Sequence, residues 1–285
     1  MCPEKAPTSW VCPSCYHEVA TPFCPGCGER PLDPKQLTLR GLMSQLALYV
    51  TSLDTRVINT VRALMGEPGR LTLAFQNGQR MPFLGPFKIF ILANVLFFAI
   101  QAMSDLRVYA TLLEQQVGTE DGTAFARYLV ERYLSAKGLA FEEYAPVYDQ
   151  AVLTNARSMI GLMALPFALC VALLFWRSRR PFAVHIVFSL HFYAFVLLLL
   201  CVPAGLIALE KSFGGSLLSS RTGDNILSFM LQAIQAGYLY IAVNRVYEAR
   251  RSWRTGSTVL LVLAEFFCFL LYRQLLLPIT LLMTW

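Results

Sequence analysis

FAVHIVFSLHFYAFVLLLLCVPAGLIA, residues 182–208, decides the fold. The stretch holds no Asp, Glu, Lys or Arg, and it exceeds the roughly 20 residues a helix needs to cross a hydrocarbon core. Comparable apolar blocks flank it at 83–103, 158–176, 225–246 and 257–283, so five spans are expected. The whole chain agrees with this reading: 285 residues, 56% hydrophobic, 15% charged, with a mean hydropathy of +0.51, too apolar for an ordinary soluble domain. No apolar signal-peptide core occupies the first 30 residues, which leaves the first span as the expected targeting signal.

The polar connections orient the spans. Lys5, Arg30, Lys35, Arg40, Arg56, Arg62, Arg70 and Arg80 precede the first span, with Lys88 at its entrance. Arg177, Arg179 and Arg180 fill the second connection, and Arg245, Arg250, Arg251 and Arg254 outweigh Glu248 around the fourth. The connection at 104–157 carries five basic residues against eight acidic ones, and 209–224 is balanced. Positive charge stays on the cytosolic side, which predicts an N-terminus inside and a C-terminus outside. The last span is the weakest of the five. Glu265, Arg273 and Pro278 interrupt it, so a broken or incompletely crossing helix is the alternative. Helical patterns at 105–117, 122–137 and 141–157 turn 104–157 into an expected external helical cap, whose carboxylates read as a solvated face.

Far outside the spans, Cys12-Pro-Ser-Cys15 and Cys24-Pro-Gly-Cys27 form two CxxC pairs separated by eight residues. Two such turns converge four thiolates on one ion, the closed shell of a structural Zn2+ site. The expectation is therefore a small ribbon over 1–31 with one structural zinc on Cys12, Cys15, Cys24 and Cys27. Redox dithiols, an iron–sulfur cluster and disulfides are the alternatives. His17 reads as a surface residue, and Cys170, Cys201 and Cys268 read as small hydrophobes inside apolar runs. Residues 1–31 carry Lys5 and Arg30 against Glu4, Glu18 and Glu29, a net charge of −1. That charge disfavours nucleic acid, which needs a basic face with interleaved aromatics.

Between ribbon and membrane, at 32–82, Leu39, Leu42, Met43, Leu46, Val50, Leu53, Val57, Val61 and Leu64 recur at helical spacing. With Lys35, Arg40, Arg56 and Arg62 alongside, this face suits either an anionic interface or the ends of the spans. Pro68-Gly69 is expected to stop the helix and Asn77-Gly78 to make a tight turn. Phe75 and Phe83 then flank that turn, with Arg80 and Lys88 at headgroup height as candidate anionic-lipid residues. Pro68-Gly69 followed by Phe75-x-x-Gly78-x-Arg80-x-x-Phe83-x-x-Pro86, downstream of a CxxC ribbon, resembles the bacterial membrane family catalogued as domain of unknown function 3667. Where the family pattern has Gly-Lys-Arg and tyrosines, this chain has Gln79, Phe75 and Phe83. The resemblance implies an inner-membrane architecture of ribbon plus helical membrane domain, over 83–285, and no particular activity.

Ionisable groups inside spans are functional candidates by default. Glu265 and Arg273, about 12 Å apart along a helix and about 80° apart around it, need separate partners. His185 and His191, about 120° apart on the third span, do not share a face and make no metal pair. Asn94, Gln232, Gln235, Tyr238, Tyr240 and Asn244 are candidates for an internal polar cluster or for hydrogen bonds between helices. Pro166, Pro203 and Pro278 suggest kinks. The sequence carries no phosphate loop, HExxH or nucleophile elbow.

Taken together these features predict an all-α polytopic membrane protein of about five transmembrane helices with an N-terminal four-cysteine ribbon. A non-enzymatic scaffold is expected, with the ribbon docking a cytosolic protein. A small-molecule, ion or lipid transporter working through Glu265 and Arg273 is the alternative.

Overall fold

The computed structural model describes residues 9–12, 15–21, 23–26, 55–79, 82–104, 108–118, 124–213 and 221–284. The chain divides into two compact units, Met1–Thr55 and Arg56–Trp285.

In the first unit, β1 (Trp10–Val11) and β2 (Glu18–Val19) form an antiparallel pair with Trp10 opposite Val19. The turn between them holds Cys15. It is tied by Cys12 N–H donating to His17 O at 2.9 Å and Tyr16 N–H donating to Cys12 O at 2.9 Å. Cys12, Val19 and Cys24 are the buried residues of its core. Residues 37–54 of the expected amphipathic helix lie outside the described residues.

The second unit is helical. Helix α1 runs over 55–66, α2 over Arg70–Gln76, α3 over Pro86–Ser104, α4 over Leu113–Val117 and α5 over Ala124–Lys137. There follow α6 (Phe141–Met159), α7 (Ala164–Leu174), α8 (Phe182–Ser212), α9 (Arg221–Tyr247) and α10 (Arg251–Met283). Five stretches are long and apolar enough to cross a membrane: Pro86–Met103, Phe141–Leu174, Phe182–Glu210, Asn225–Tyr247 and Arg251–Met283. Short connections at 175–181 and 248–250 make α7/α8 and α9/α10 antiparallel neighbours. Helix α3 lies along α8, and α10 packs on α6, α7 and α9.

One span differs from the sequence reading. The helix expected at 141–157 and the span expected from 158 are one run, in which α6 passes into α7 through a tight 3-10 turn at Ile160–Met163. Pro166 accounts for the turn: it lacks an N–H, and its ring opposes the carbonyl of Leu162, which tighter winding relieves. The run of 34 residues is about 50 Å long at about 1.5 Å per residue, well beyond a hydrocarbon core of about 30 Å. The last span is unbroken, since α10 continues through Arg273 and past Pro278.

One core joins all parts of this unit. Its fully buried side chains include Leu64 of α1, Leu113 of α4, Tyr148 of α6 and Phe97, Phe167, Phe192, Leu239 and Leu261 of the spans. Helix α1 thus turns Thr60, Ala63 and Leu64 inward and leaves Ile58 and Met65 exposed. At one end of the bundle, α5 and α6 clasp the C-terminal end of α10: Tyr133 donates to Thr284 O at 3.0 Å, and the Tyr144 hydroxyl meets Thr284 Oγ1. Asn155 reaches Thr280 Oγ1 at 3.1 Å, and Tyr272 donates to Ala156 O at 3.1 Å. The other end holds α2 and the connections 175–181 and 248–250.

Candidate functional site

The sulfurs of Cys12, Cys15 and Cys24 all lie within 4.8 Å of one another, with Cys15 and Cys24 at 3.3 Å. Sulfurs bound to one tetrahedral ion lie about 3.8 Å apart at bonds of about 2.3 Å, so the three thiols are close enough to hold a single metal ion. The second knuckle is tight: a Cβ on Gly26 would sit 3.8 Å from Cys24 Sγ and 3.9 Å from Cys15 Sγ. Cys27, the fourth ligand expected from the sequence, lies outside the described residues. His17 is exposed and offers its carbonyl to the turn. Beside the two knuckles, Tyr16 is 81% exposed and Phe23 is 47% exposed.

The segment from α1 to α3 is built as a wedge. Pro68-Gly69 ends α1, and Gly69 adopts φ +81, open to glycine and strained for other residues. It also touches α9 so closely that a Cβ would lie 3.1 Å from Ala242 O and 3.1 Å from Val246 Cγ2. Helix α2 then packs against both α8 and α9. Leu71, Thr72 and Ala74 are buried, and Thr72 Oγ1 lies 3.0 Å from His191 Nδ1. His191 stands nine residues into α8, about 13 Å from its start. Along this stretch α2 is covered by α8 and α9. The chain returns past Asn77-Gly78, and Leu84 N–H donates to Thr60 Oγ1 at 2.8 Å, closing the wedge onto α1. A cavity of about 130 Å3 lies between α2 and the start of α3, lined by Leu71, Phe75, Gln79, Phe83 and His191. Phe75 and Phe83 therefore flank a cavity with a histidine at its wall, deeper than the surface turn expected of them. Lys88 is exposed on the first turn of α3. Arg80 lies outside the described residues.

The polar residues of the spans do not gather into one cluster. His185 Nδ1 meets the Tyr247 hydroxyl at 2.8 Å, so the two histidines bond to different elements. Asn94 donates to Arg157 O at 3.3 Å, and Arg254 donates to Tyr240 at 2.6 Å. Arg273 donates to Thr111 Oγ1 at 2.8 Å and lies over Phe269. Glu265 is met from α9 by Gln232 Nε2 at 3.5 Å. Turned to donate, the Gln235 amide nitrogen is 3.1 Å from Glu265 Oε2. Among the described residues Glu265 has no ion-pair partner. Just outside the spans, burial raises the Tyr109 hydroxyl well above the ordinary tyrosine range, with the Glu265 charge adding to the effect. Thr72, Thr111 and Tyr247, which satisfy three of the candidate residues, carry no local sequence signal, since each partner is more than sixty positions away.

Helices of this length around a single core, preceded by converging cysteines, define a polytopic helical membrane protein with a cysteine cluster near its N-terminus. Residues 54–98, covering the α1 helix, the wedge and the first two thirds of α3, match the family described as "Protein of unknown function (DUF3667)", which bears out the resemblance. No curated protein and no solved structure matches the chain.

Proposed function

We propose that the protein is a non-enzymatic membrane adaptor of the bacterial inner membrane, whose cytosolic ribbon binds one structural Zn2+ and presents a protein-contact surface. Cys12, Cys15, Cys24 and Cys27 hold the ion, which supplies folding energy and no chemistry. The observation that carries the reading is the exposure of Tyr16 and Phe23 directly beside the knuckles, because aromatic side chains displayed on a rigid turn are typical anchors of protein interfaces. Lys and Arg on the connections 175–181 and 248–250 support N-terminus inside and C-terminus outside.

The test places a photo-crosslinking residue at Val11, 58% exposed on the ribbon, and follows adducts in intact membranes alongside zinc per chain. The expected result is one discrete adduct in the parent. Y16A/F23A should retain zinc and lose the adduct, while C12S should lose both and still insert. No adduct in the parent, or an adduct unchanged in Y16A/F23A, overturns the reading.

A second reading, transport of a small molecule or ion, is favoured by one feature. Glu265 has glutamine partners and no cation, and the nearby Tyr193 hydroxyl is buried without a hydrogen-bond partner among the described residues. An intramembrane acid so placed is a common marker of an ion path. E265Q in proteoliposomes separates the two: altered uptake or proton coupling at equal expression supports transport, and unchanged fluxes discard it.

A further inference from the structure

The two connections at the α2 end of the bundle lie side by side and border an open cavity of about 680 Å3, within the usual range of small-molecule pockets, about 300–1,000 Å3. Its wall is Trp176, Arg177 and Ser178 from the turn after α7, and Arg250 and Trp253 from the start of α10. Beneath them the structure is rigidly braced. Phe175 stacks on Tyr247 with ring centres 4.2 Å apart and planes 8° apart, His185 stacks parallel to Tyr247 at 5.6 Å, and Arg180 lies 5.8 Å from the same ring.

The geometry points to this cavity as a headgroup site for an anionic phospholipid. Arg177 and Arg250 have no ion-pair partner among the described residues, and no carboxylate lines the cavity. Two unneutralised guanidiniums facing one space match a phosphate, which they grip through paired N–H donors. Trp176 is 73% exposed and Trp253 is 49% exposed, each at the end of a span, where tryptophan marks the boundary between headgroups and acyl chains. From the tryptophans two apolar stripes run down the spans. Leu173, Leu169 and Leu165 recede along α7, and Leu260 and Phe267 follow Trp253 at seven-residue spacing on α10, all exposed. Stripes of that kind suit acyl chains beneath a seated headgroup, which a soluble phosphate does not have. A choline headgroup is excluded on charge, because it would bring its own cation against Arg177 and Arg250.

W10F/W285F leaves Trp176 and Trp253 as the two tryptophans of the chain, so their fluorescence reads the cavity directly. The protein is reconstituted in phosphatidylcholine vesicles containing increasing fractions of either brominated phosphatidylglycerol or brominated phosphatidylcholine. Half-maximal quenching is expected at a roughly ten-fold lower mole fraction of the anionic lipid. R177Q/R250Q should bring the two curves together, whereas R179Q/R251Q, which removes two exposed arginines that do not line the cavity, should leave them apart. Millimolar inorganic phosphate should not displace the lipid. Equal quenching by both lipids in the parent, or survival of the preference in R177Q/R250Q, overturns the site. Equal loss in both arginine variants reduces it to a diffuse basic belt and overturns it too, and release by inorganic phosphate overturns the lipid as its occupant.

Discussion

The ribbon and the helical unit are stabilised by opposite means. The ribbon buries Cys12, Val19 and Cys24 around a two-residue strand pair, too little apolar surface to offset the conformational entropy of its chain. In the helical unit, one continuous core runs from Leu64 through Tyr193 to Leu281, and Thr72, His185, Ser189 and Tyr272 carry polar groups inward to partners on other helices. On the proposed reading the first fold depends on a bound metal, the second on packing. A perturbation of either should therefore leave a signature that the other does not share.

Removing the metal should give the largest effect. A strong chelator, or C12S, is expected to cost the ribbon on the order of 10 kcal/mol, read as loss of hydrogen-exchange protection across residues 9–26 while the spans stay protected. Loss of protection in α8 on the same treatment would break the comparison. Next comes G69A. A Cβ at φ +81, 3.1 Å from Ala242 O, should destabilise the helical unit by about 2 kcal/mol. A lower melting temperature in detergent with zinc content unchanged would sharpen the contrast. T72V removes the hydroxyl that meets His191 Nδ1 and leaves a buried ring nitrogen unpaired, an expected loss of about 1–2 kcal/mol in the same melting assay. Smallest is E67Q. The Glu67–Arg70 ion pair is roughly half exposed, so its removal should shift stability by less than about 1 kcal/mol, and a larger shift would mean that the α1–α2 turn depends on charge more than on Gly69.

What the sequence made legible follows from the range of the interactions. The five spans are a property of local composition, and each was visible as an apolar block, the last one interrupted by Glu265, Arg273 and Pro278. Helix α6 was visible as a helix because Tyr144, Tyr148, Val152 and Ala156 bury one stripe at four-residue spacing. Its continuity with α7 was hidden by Glu142, Glu143, Asp149 and Arg157, which made a membrane-length helix look like a soluble one. The convergence of Cys12, Cys15 and Cys24 was legible from spacing alone, since the distance between them is set by a handful of bonds. The burial of α2 was not. Its seven residues begin with Arg70 and end with Gln76, too short for a periodic signal, and its place is fixed by Ala242, Val246 and His191, far along the chain. The same distance explains why Asn94, His185 and His191 were recognisable as candidates and their partners were not, whereas Gln232 and Gln235, which meet Glu265, were themselves recognisable. The tryptophans beside Arg177 and Arg250 were a signal that could have been read, because aromatic and basic residues at the ends of neighbouring spans recur at membrane interfaces.

The wedge sets an order on biosynthesis. Thr72 and His191 are separated by 119 positions, and Ala242 and Val246, which receive Gly69, follow later still. At a synthesis rate of about 5–20 residues per second, the segment shared with the family waits on the order of ten seconds before α8 and α9 exist to receive it. During that interval Leu71 and Ala74 lack the α8 and α9 surfaces against which α2 packs in the folded chain. The last helices made thus complete the first membrane-proximal element, and a chain truncated before α9 would carry the family segment without the groove that houses it.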